Sequence, residues 1–522
     1  MGRVRFGERQ LQHLIVFLYL TTLLTIGFLS WRMLLTDEAR GWVNGRIAAI
    51  ILLPGVGLFA PSIWLYFGAI FAVMLIVPRS RIEAIGLFLL IAMTLPLTPY
   101  GVTAGATYIV KIDPMKVAAL SLLPALRFSR GSANARGLRS LDLLFFLFCG
   151  VMITIGVRIP DTSTTVLARE VIEKTLIFAI PFLFLTRSRF DGKDQARLLF
   201  YLMTAGFMLS IVALFEMLRH WPLYQSIDAH FGITGRSKTM ALRGGLLRSP
   251  GPFFDSTGFG VFLAVVTIVV ASMRSVFRSP LAHQIAILIG AMGTFSTLAR
   301  NGWVGLAVGL VLIGVYRRRG GQTFFLAILG FGAFAILAVA MPENSTISSL
   351  MGKSGHAAET SDYRENLFAR GLPLIAKRPL SGAPLAQLGE ELRPDLRSQD
   401  LDVDFVNSYL YFALTSGLFG LLIVLSFVVY PILRLFKMRR DVAVRSPWEA
   451  NVMTGVFASS SALALMLAFT SPYERIPVLA VLLFACARNA LALERNPAAQ
   501  SSNLAPPSRK TLVVSARDLA AH

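Results

Sequence analysis

An all-α, polytopic integral membrane protein is the fold class this sequence predicts, and three observations predict it. Apolar residues make up 55% of the 522 positions, while charged residues make up only 15%. The mean hydropathy is +0.64. The apolar residues gather in runs close to the ~20 residues that a helix needs to cross a bilayer, whereas a soluble chain carries about a quarter charged residues. These observations exclude a soluble enzyme, a disulfide scaffold and a disordered chain. The net charge of +21 comes from 50 Lys and Arg against 29 Asp and Glu. In a soluble chain that balance would suggest nucleic acid. Here basic residues mark cytoplasmic loops, and no nucleic-acid partner is expected.

The candidate spans, in order, are 11–35, 47–77, 82–98, 105–127, 141–158, 164–186, 196–218, 257–276, 282–299, 302–317, 322–341, 406–433, 449–470 and 476–493. The first follows the basic stretch MGRVRFGERQ. It is too long for a signal-peptide core and lacks a small-x-small cleavage site. The second is overlong and holds Pro54 and Pro61, so it is either a broken helix or two short ones. The fourth carries Lys111, Asp113 and Lys116. The expectation is about 12–14 transmembrane helices in a single transmembrane domain over 1–493. A polar, Pro/Ser-rich tail at 494–522 is expected to be disordered. The two halves differ in loop length, against a transporter built from duplicated halves.

Orientation follows from Lys and Arg. With the N-terminus inside, the inside segments collect Arg127, Arg130, Arg136 and Arg139, then Arg317, Arg318 and Arg319, then Arg434, Lys437, Arg439 and Arg440. The short outside loops hold only Arg40, Arg46, Arg158, Arg300 and Arg475. This asymmetry predicts both termini in the cytoplasm and two long loops outside, at roughly 219–256 and 342–405. Cys149 and Cys486 fall inside apolar runs and read as packing residues.

The outside loops carry the chemistry. Arg248 stands before Gly251 and a helix start at which Asp255 or Ser256 is the candidate cap; an arginine beside a helix N-terminus suits an anion. Arg300 sits in a very short turn between two apolar helices, where a charge is costly and reads as functional. Arg364 and Arg370 lie on a stretch whose Tyr363, Leu367 and Arg370 share helical spacing, fitting an amphipathic helix on the membrane face. Asp400, Asp402 and Asp404 alternate before the helix that begins near Val406, and such carboxylates suit a hard cation or a general base. Each feature also has a plainer reading, as an interface anchor or a solvated face. Glu170 and Glu173 with Arg169 and Lys174 read as local i,i+4 pairs. No His or Cys spacing suits zinc, and no Walker or dinucleotide fingerprint is present, so no metal and no cofactor is expected.

Taken together, LLRSPGPFFDSTGFGVFLA, TLARNGWVGL and VNSYLYFALTSGLFG resemble the O-antigen ligase / Wzy-type polymerase family over roughly 240–430. The family pattern has an Arg and Gly before a helix, a T-x-S-R turn, a polar loop and an H-N-x-Y-L…G-x-x-G helix start. The resemblance implies a GT-C-like membrane glycosyltransferase with a large periplasmic loop, 342–405, between late helices. By carry-over, Arg248 and Arg300 hold the diphosphate of an undecaprenyl-linked oligosaccharide, and Arg364 is added from its loop. Gly251, Asn407, Tyr409 and Gly417 fill motif positions. Ala299 stands where the family has Ser. Val406 stands where ligases carry a His that activates the acceptor, which favours a polymerase of exopolysaccharide or O-antigen repeats over a ligase or a lipid-linked oligosaccharide flippase. Asp404 is then the candidate general base, with Asp402 as runner-up and His356 third. The implied setting is the bacterial inner membrane with the site on the periplasmic face. The lipid bilayer, a flippase and a chain-length co-polymerase are the implied neighbours.

Overall fold

Where each apolar run ends is decided by caps, prolines and glycines. The computed structural model describes residues 2–43, 47–105, 107–128, 139–158, 164–188, 190–233, 242–318, 356–392, 404–440, 445–472 and 475–493. In chain order the elements are α1 (Gly2–Leu34), α2 (Asp37–Gly41), α3 (Ile47–Phe59), α4 (Ile63–Ile76), α5 (Arg81–Thr94), β1 (Tyr100–Ala104), β2 (Thr107–Ile112) and α6 (Pro114–Leu120). Next come α7 (Arg139–Val157), α8 (Thr164–Lys174), α9 (Ile180–Thr186), α10 (Gly192–Arg219), α11 (Gln225–His230), β3 (Leu242–Arg243) and β4 (Leu246–Leu247). The last are α12 (Ser256–Ser272), α13 (Pro280–Ser296), α14 (Arg300–Tyr316), α15 (His356–Lys377), α16 (Leu385–Leu392), α17 (Ser408–Lys437), α18 (Pro447–Leu467) and α19 (Ile476–Ala492).

Five described helices are long and apolar enough to cross a membrane, namely α1 from Gln10 onward, α7, α10, α17 and α18; seven further apolar helices run 10–17 residues. Among the described residues the strands form two small hairpins, and the protein is an all-α polytopic membrane protein. The span expected at 322–341 and the tail at 494–522 lie outside the described residues. Cys149 and Cys486 are both buried and free.

The most buried long helix is α10, which packs against α1, α5, α12, α13 and α18. Small residues let the backbones close up, as membrane helix packing requires. Gly293 lies on Ser210, Gly206 on Val266, and Gly302 on the Gly260 carbonyl. The bundle has two chemically distinct ends. At the loop end, α10 finishes at Arg219 and α12 and α14 begin. At the basic end are Arg187, Arg274, Arg317, Arg434 and Arg439, where Arg317 binds the Ser272 carbonyl at 2.7 Å and Arg488 binds Asp142 at 2.6 Å.

Two expectations are corrected. Residues 105–127 do not form one helix. Gly105 sits at φ +61° in the β1–β2 turn, and a helix appears only after Asp113, whose carboxylate caps it at the Lys116 amide. Thr- and Val-rich alternation there suits a strand as well as an apolar window does. Lys116 reaches Asp113 at 3.4 Å and Glu173 at 3.3 Å, so local pairing accounts for Glu170–Lys174 (3.1 Å) but not for Glu173.

The run 47–77, expected as a broken helix or as two short ones, is two short helices and turns back on itself as α3 and α4. The break falls at Ala60–Ser62, after which the Ser62 hydroxyl caps α4 at the Leu65 amide. Ala60 lies at the loop end, where its carbonyl meets His230 at 2.9 Å, and the His13 ring packs on His230 at 5.0 Å. Leu35, at the other end of α1, pairs with Phe277 at the basic end. Thus α1 starts at the loop end and α19 finishes at the basic end. The expectation of a common side for both termini counts 47–77 as a single crossing.

Candidate functional site

Four arginines converge at the loop end, each delivered by a different local device. β3 and β4 pair across Gly244 and Gly245, at φ +57° and +79°, a two-residue turn that only glycine enters cheaply. This hairpin presents Arg243 and leads directly into Arg248. Arg243 Nη1 donates to the Leu298 carbonyl at 2.6 Å. Leu298 itself is held at φ +48° in the turn between α13 and α14. Arg300 is the first residue of α14, whose cap position is Ala299 and makes no side-chain bond. Arg364 comes from α15, which rests on α17 where Gly371 meets Leu410 and Leu414.

These guanidinium groups feel one another. Burial, then Arg248, Arg300 and Arg364, push Arg243 down to about 9. Arg364 is lowered by burial and by Arg300, with Asp404 opposing. Arg248 is lowered by burial, with Asp255 opposing and Arg300 adding. Arg248 Nη2 donates to Thr257 Oγ1 at 3.2 Å, yet the buried Nε atoms of Arg248 and Arg364 have no hydrogen-bond partner. A buried donor without a partner costs about 1–3 kcal/mol, and like charges brought together cost more. A bound anion relieves both, and arginine forks match phosphate oxygens in geometry.

Asp404 stands beside this cluster. It is exposed; its Oδ1 accepts from Ser471 Oγ at 2.6 Å, and its carbonyl accepts from Tyr363 at 3.1 Å. Burial and the Asp404 charge push the Tyr363 phenol up to about 12, so it stays a donor. Asp402 and Asp400 lie outside the described residues, and His356 opens α15.

The remaining motif residues shape the backbone. Asp255, not Ser256, caps α12, taking the Thr257 and Gly258 amides at 3.0 and 2.7 Å. Asn407 caps α17 through the Tyr409 and Leu410 amides at 2.9 and 3.1 Å, and Tyr409 OH donates to the Ala464 carbonyl at 2.7 Å. Val406 is half-buried and packs against the core. Gly251 sits at φ +48° against the Phe259 ring. Gly417 sits at φ +69° inside α17, where the chain at Leu380 and Ser381 presses on it.

Two residues escape the sequence reading. Arg243 is signalled by Gly-Gly between apolar pairs, a hairpin signature that would set it opposite the chain leading to Arg248. Glu216 is signalled as an acid within an apolar helix. Fully buried on α10, it accepts from Ser249 Oγ at 2.6 Å and from the Gly251 and Leu223 amides, each at 3.0 Å. Among the described residues no three His, Cys, Asp or Glu cluster as metal ligands.

Fold and site together define a polytopic membrane protein with four arginines gathered at the loop end of its bundle, opposite its basic end. Residues 285–425 match the model of the O-antigen ligase family. Arg300, Arg364, Asp404, Asn407 and Gly417 fall inside the matched segment; Arg243 and Arg248 lie upstream of it. No curated protein matches the chain. The family acts in glycan polymerisation or ligation, a glycosyl-transfer-type reaction on lipid-linked glycan in a membrane.

Proposed function

We propose that the protein is a polymerase that joins polyprenyl-diphosphate-linked oligosaccharide repeats of a surface polysaccharide, on the periplasmic face of the bacterial inner membrane. The observation that carries this reading is the convergence of Arg243, Arg248, Arg300 and Arg364, with the buried Nε atoms of Arg248 and Arg364 left without a hydrogen-bond partner. Donor diphosphate lies among the arginines. A hydroxyl of the acceptor repeat attacks C1 of the donor sugar, the C1–O bond to the diphosphate breaks, and the polyprenyl diphosphate leaves with the electron pair. Fixed cations stabilise that departing charge. Asp404 accepts the hydroxyl proton, oriented by Ser471; Asp402 is the second candidate. The basic end of the bundle favours the cytoplasm, which supports an extracytoplasmic site at the opposite end. A flippase and a chain-length co-polymerase are the partners this role calls for.

The test is mass spectrometry of lipid-linked glycans in a deletion strain complemented with wild type or with Arg300→Ala. Single repeats accumulating in both the deletion and the Arg300→Ala strain support the polymerase. Finished long chains left on lipid indicate ligation instead. Repeats confined to the cytoplasmic face indicate a flippase, and an unchanged lipid profile overturns the reading.

A further inference from the structure

We propose that Glu216 is the positioning residue for Arg248, an inference that rests on the diphosphate reading above. Arg248 is followed directly by Ser249, and Gly251 comes two residues after that. The Ser249 hydroxyl and the Gly251 amide both donate to one oxygen of Glu216, Oε2, at 2.6 and 3.0 Å. The other oxygen, Oε1, takes the Leu223 amide at 3.0 Å. A single carboxylate therefore ties the end of α10, the turn after it and the arginine loop into one unit.

The same loop is held from the other side, where the Ser249 amide donates to the Ser296 carbonyl at 3.2 Å, next to the turn that carries Arg300. Gly251 completes the clamp with φ +48° and no room for a side chain against Phe259. Glu216 thus spends its acceptors on this loop instead of pairing with an arginine. A buried carboxylate is costly unless donors saturate it, and here two of the three donors fix the backbone that follows Arg248 directly. Glutamine cannot replace it. Whichever oxygen Gln keeps, its amide nitrogen must face a donor, either Leu223 N–H or the Ser249 and Gly251 pair.

The experiment uses full-length protein in nanodiscs, with inorganic pyrophosphate as the probe and donor turnover as the second readout. Wild type, Arg248→Ala, Glu216→Gln, Ser249→Ala and the double variant Arg248→Ala/Glu216→Gln are compared. Glu216→Gln is expected to weaken pyrophosphate binding about tenfold and to raise donor KM more than it lowers kcat. Ser249→Ala, which removes one bond and leaves the carboxylate in place, is expected to give a smaller shift of the same kind. In the Arg248→Ala background Glu216→Gln is expected to add less than about twofold, because residues acting through one another are not additive. Full additivity in the double variant overturns the inference, as does Glu216→Gln with wild-type affinity. If Glu216→Gln does not fold, Ser249→Ala and its double variant with Arg248→Ala decide the matter in the same way: wild-type affinity or full additivity overturns the inference. Loss of binding in none of the variants, Arg248→Ala included, instead defeats the diphosphate reading.

Discussion

Each arginine of the cluster is asked for a different share of one task. A hydrogen bond to a charged group is worth about 1.5–3 kcal/mol, so Arg248→Ala, Arg300→Ala and Arg364→Ala should each lower kcat/KM for the lipid-linked donor by roughly 10- to 100-fold. Lysine restores the charge but not the planar fork; Arg300→Lys should therefore recover part of the loss. Equal activity of the Ala and Lys variants would mean that Arg300 contributes no directional bonding. Arg243 differs from these three because it also holds the Leu298 carbonyl, so Arg243→Ala should disturb Arg300 as well. Asp404 is predicted to act on rate alone. Asp404→Asn should cost about 10²–10⁴-fold in kcat while pyrophosphate affinity holds. Near-normal turnover in membranes by both Asp404→Asn and Asp402→Asn would remove both aspartates from the mechanism. If the aspartates hold a cation instead, EDTA abolishes turnover.

At the scale of elements, two positions make opposite predictions. Gly417 holds φ +69° with the backbone at Leu380 against it, so Gly417→Ala should lower the melting temperature in detergent by an amount equivalent to about 1–3 kcal/mol. An unchanged melting temperature would show that the α17 kink relaxes freely. Ala299 starts α14 without a side-chain cap. Ala299→Ser supplies one and should stabilise by about 0.5–2 kcal/mol, read as a raised melting temperature without loss of activity. Such elements differ in how legible they are from residues alone. The caps at Asp255 and Asn407 are local choices, and the sequence offers Asp255 as a cap, with Ser256 as the alternative, but Asn407 only as a motif position. The charges at Arg248, Arg300 and Arg364 stand out against apolar flanks. The β1–β2 hairpin is hidden because Thr, Val and Ile satisfy an apolar window as well as a strand. The role of Glu216 is hidden because two of its three partners lie 33 and 35 residues away, and nothing local announces that meeting.

The whole molecule turns on how many times the chain crosses before α5. If 47–77 crossed once, the loop after α1 and the loop after α4 would lie on opposite faces. The structure instead sets both at the basic end, because Leu35 pairs with Phe277 there and Trp42 packs on Trp448 at 5.5 Å, while the α3–α4 turn meets His230 at the loop end. Single cysteines at exposed Asp37, Pro61 and Arg79 separate the alternatives. The native Cys149 and Cys486 are buried and give little background. With a membrane-impermeant thiol reagent on intact cells, Pro61→Cys should label, whereas Asp37→Cys and Arg79→Cys should label only after the membrane is opened. Labelling of Asp37→Cys on intact cells with Arg79→Cys protected would restore the single crossing and carry the start of α1 back to the side of the basic end. Labelling of Asp37→Cys and Arg79→Cys on intact cells, with Pro61→Cys silent, would invert the protein and put the arginine cluster in the cytoplasm. That last pattern removes the extracytoplasmic reaction, because the donor would then meet its acceptor before crossing the membrane.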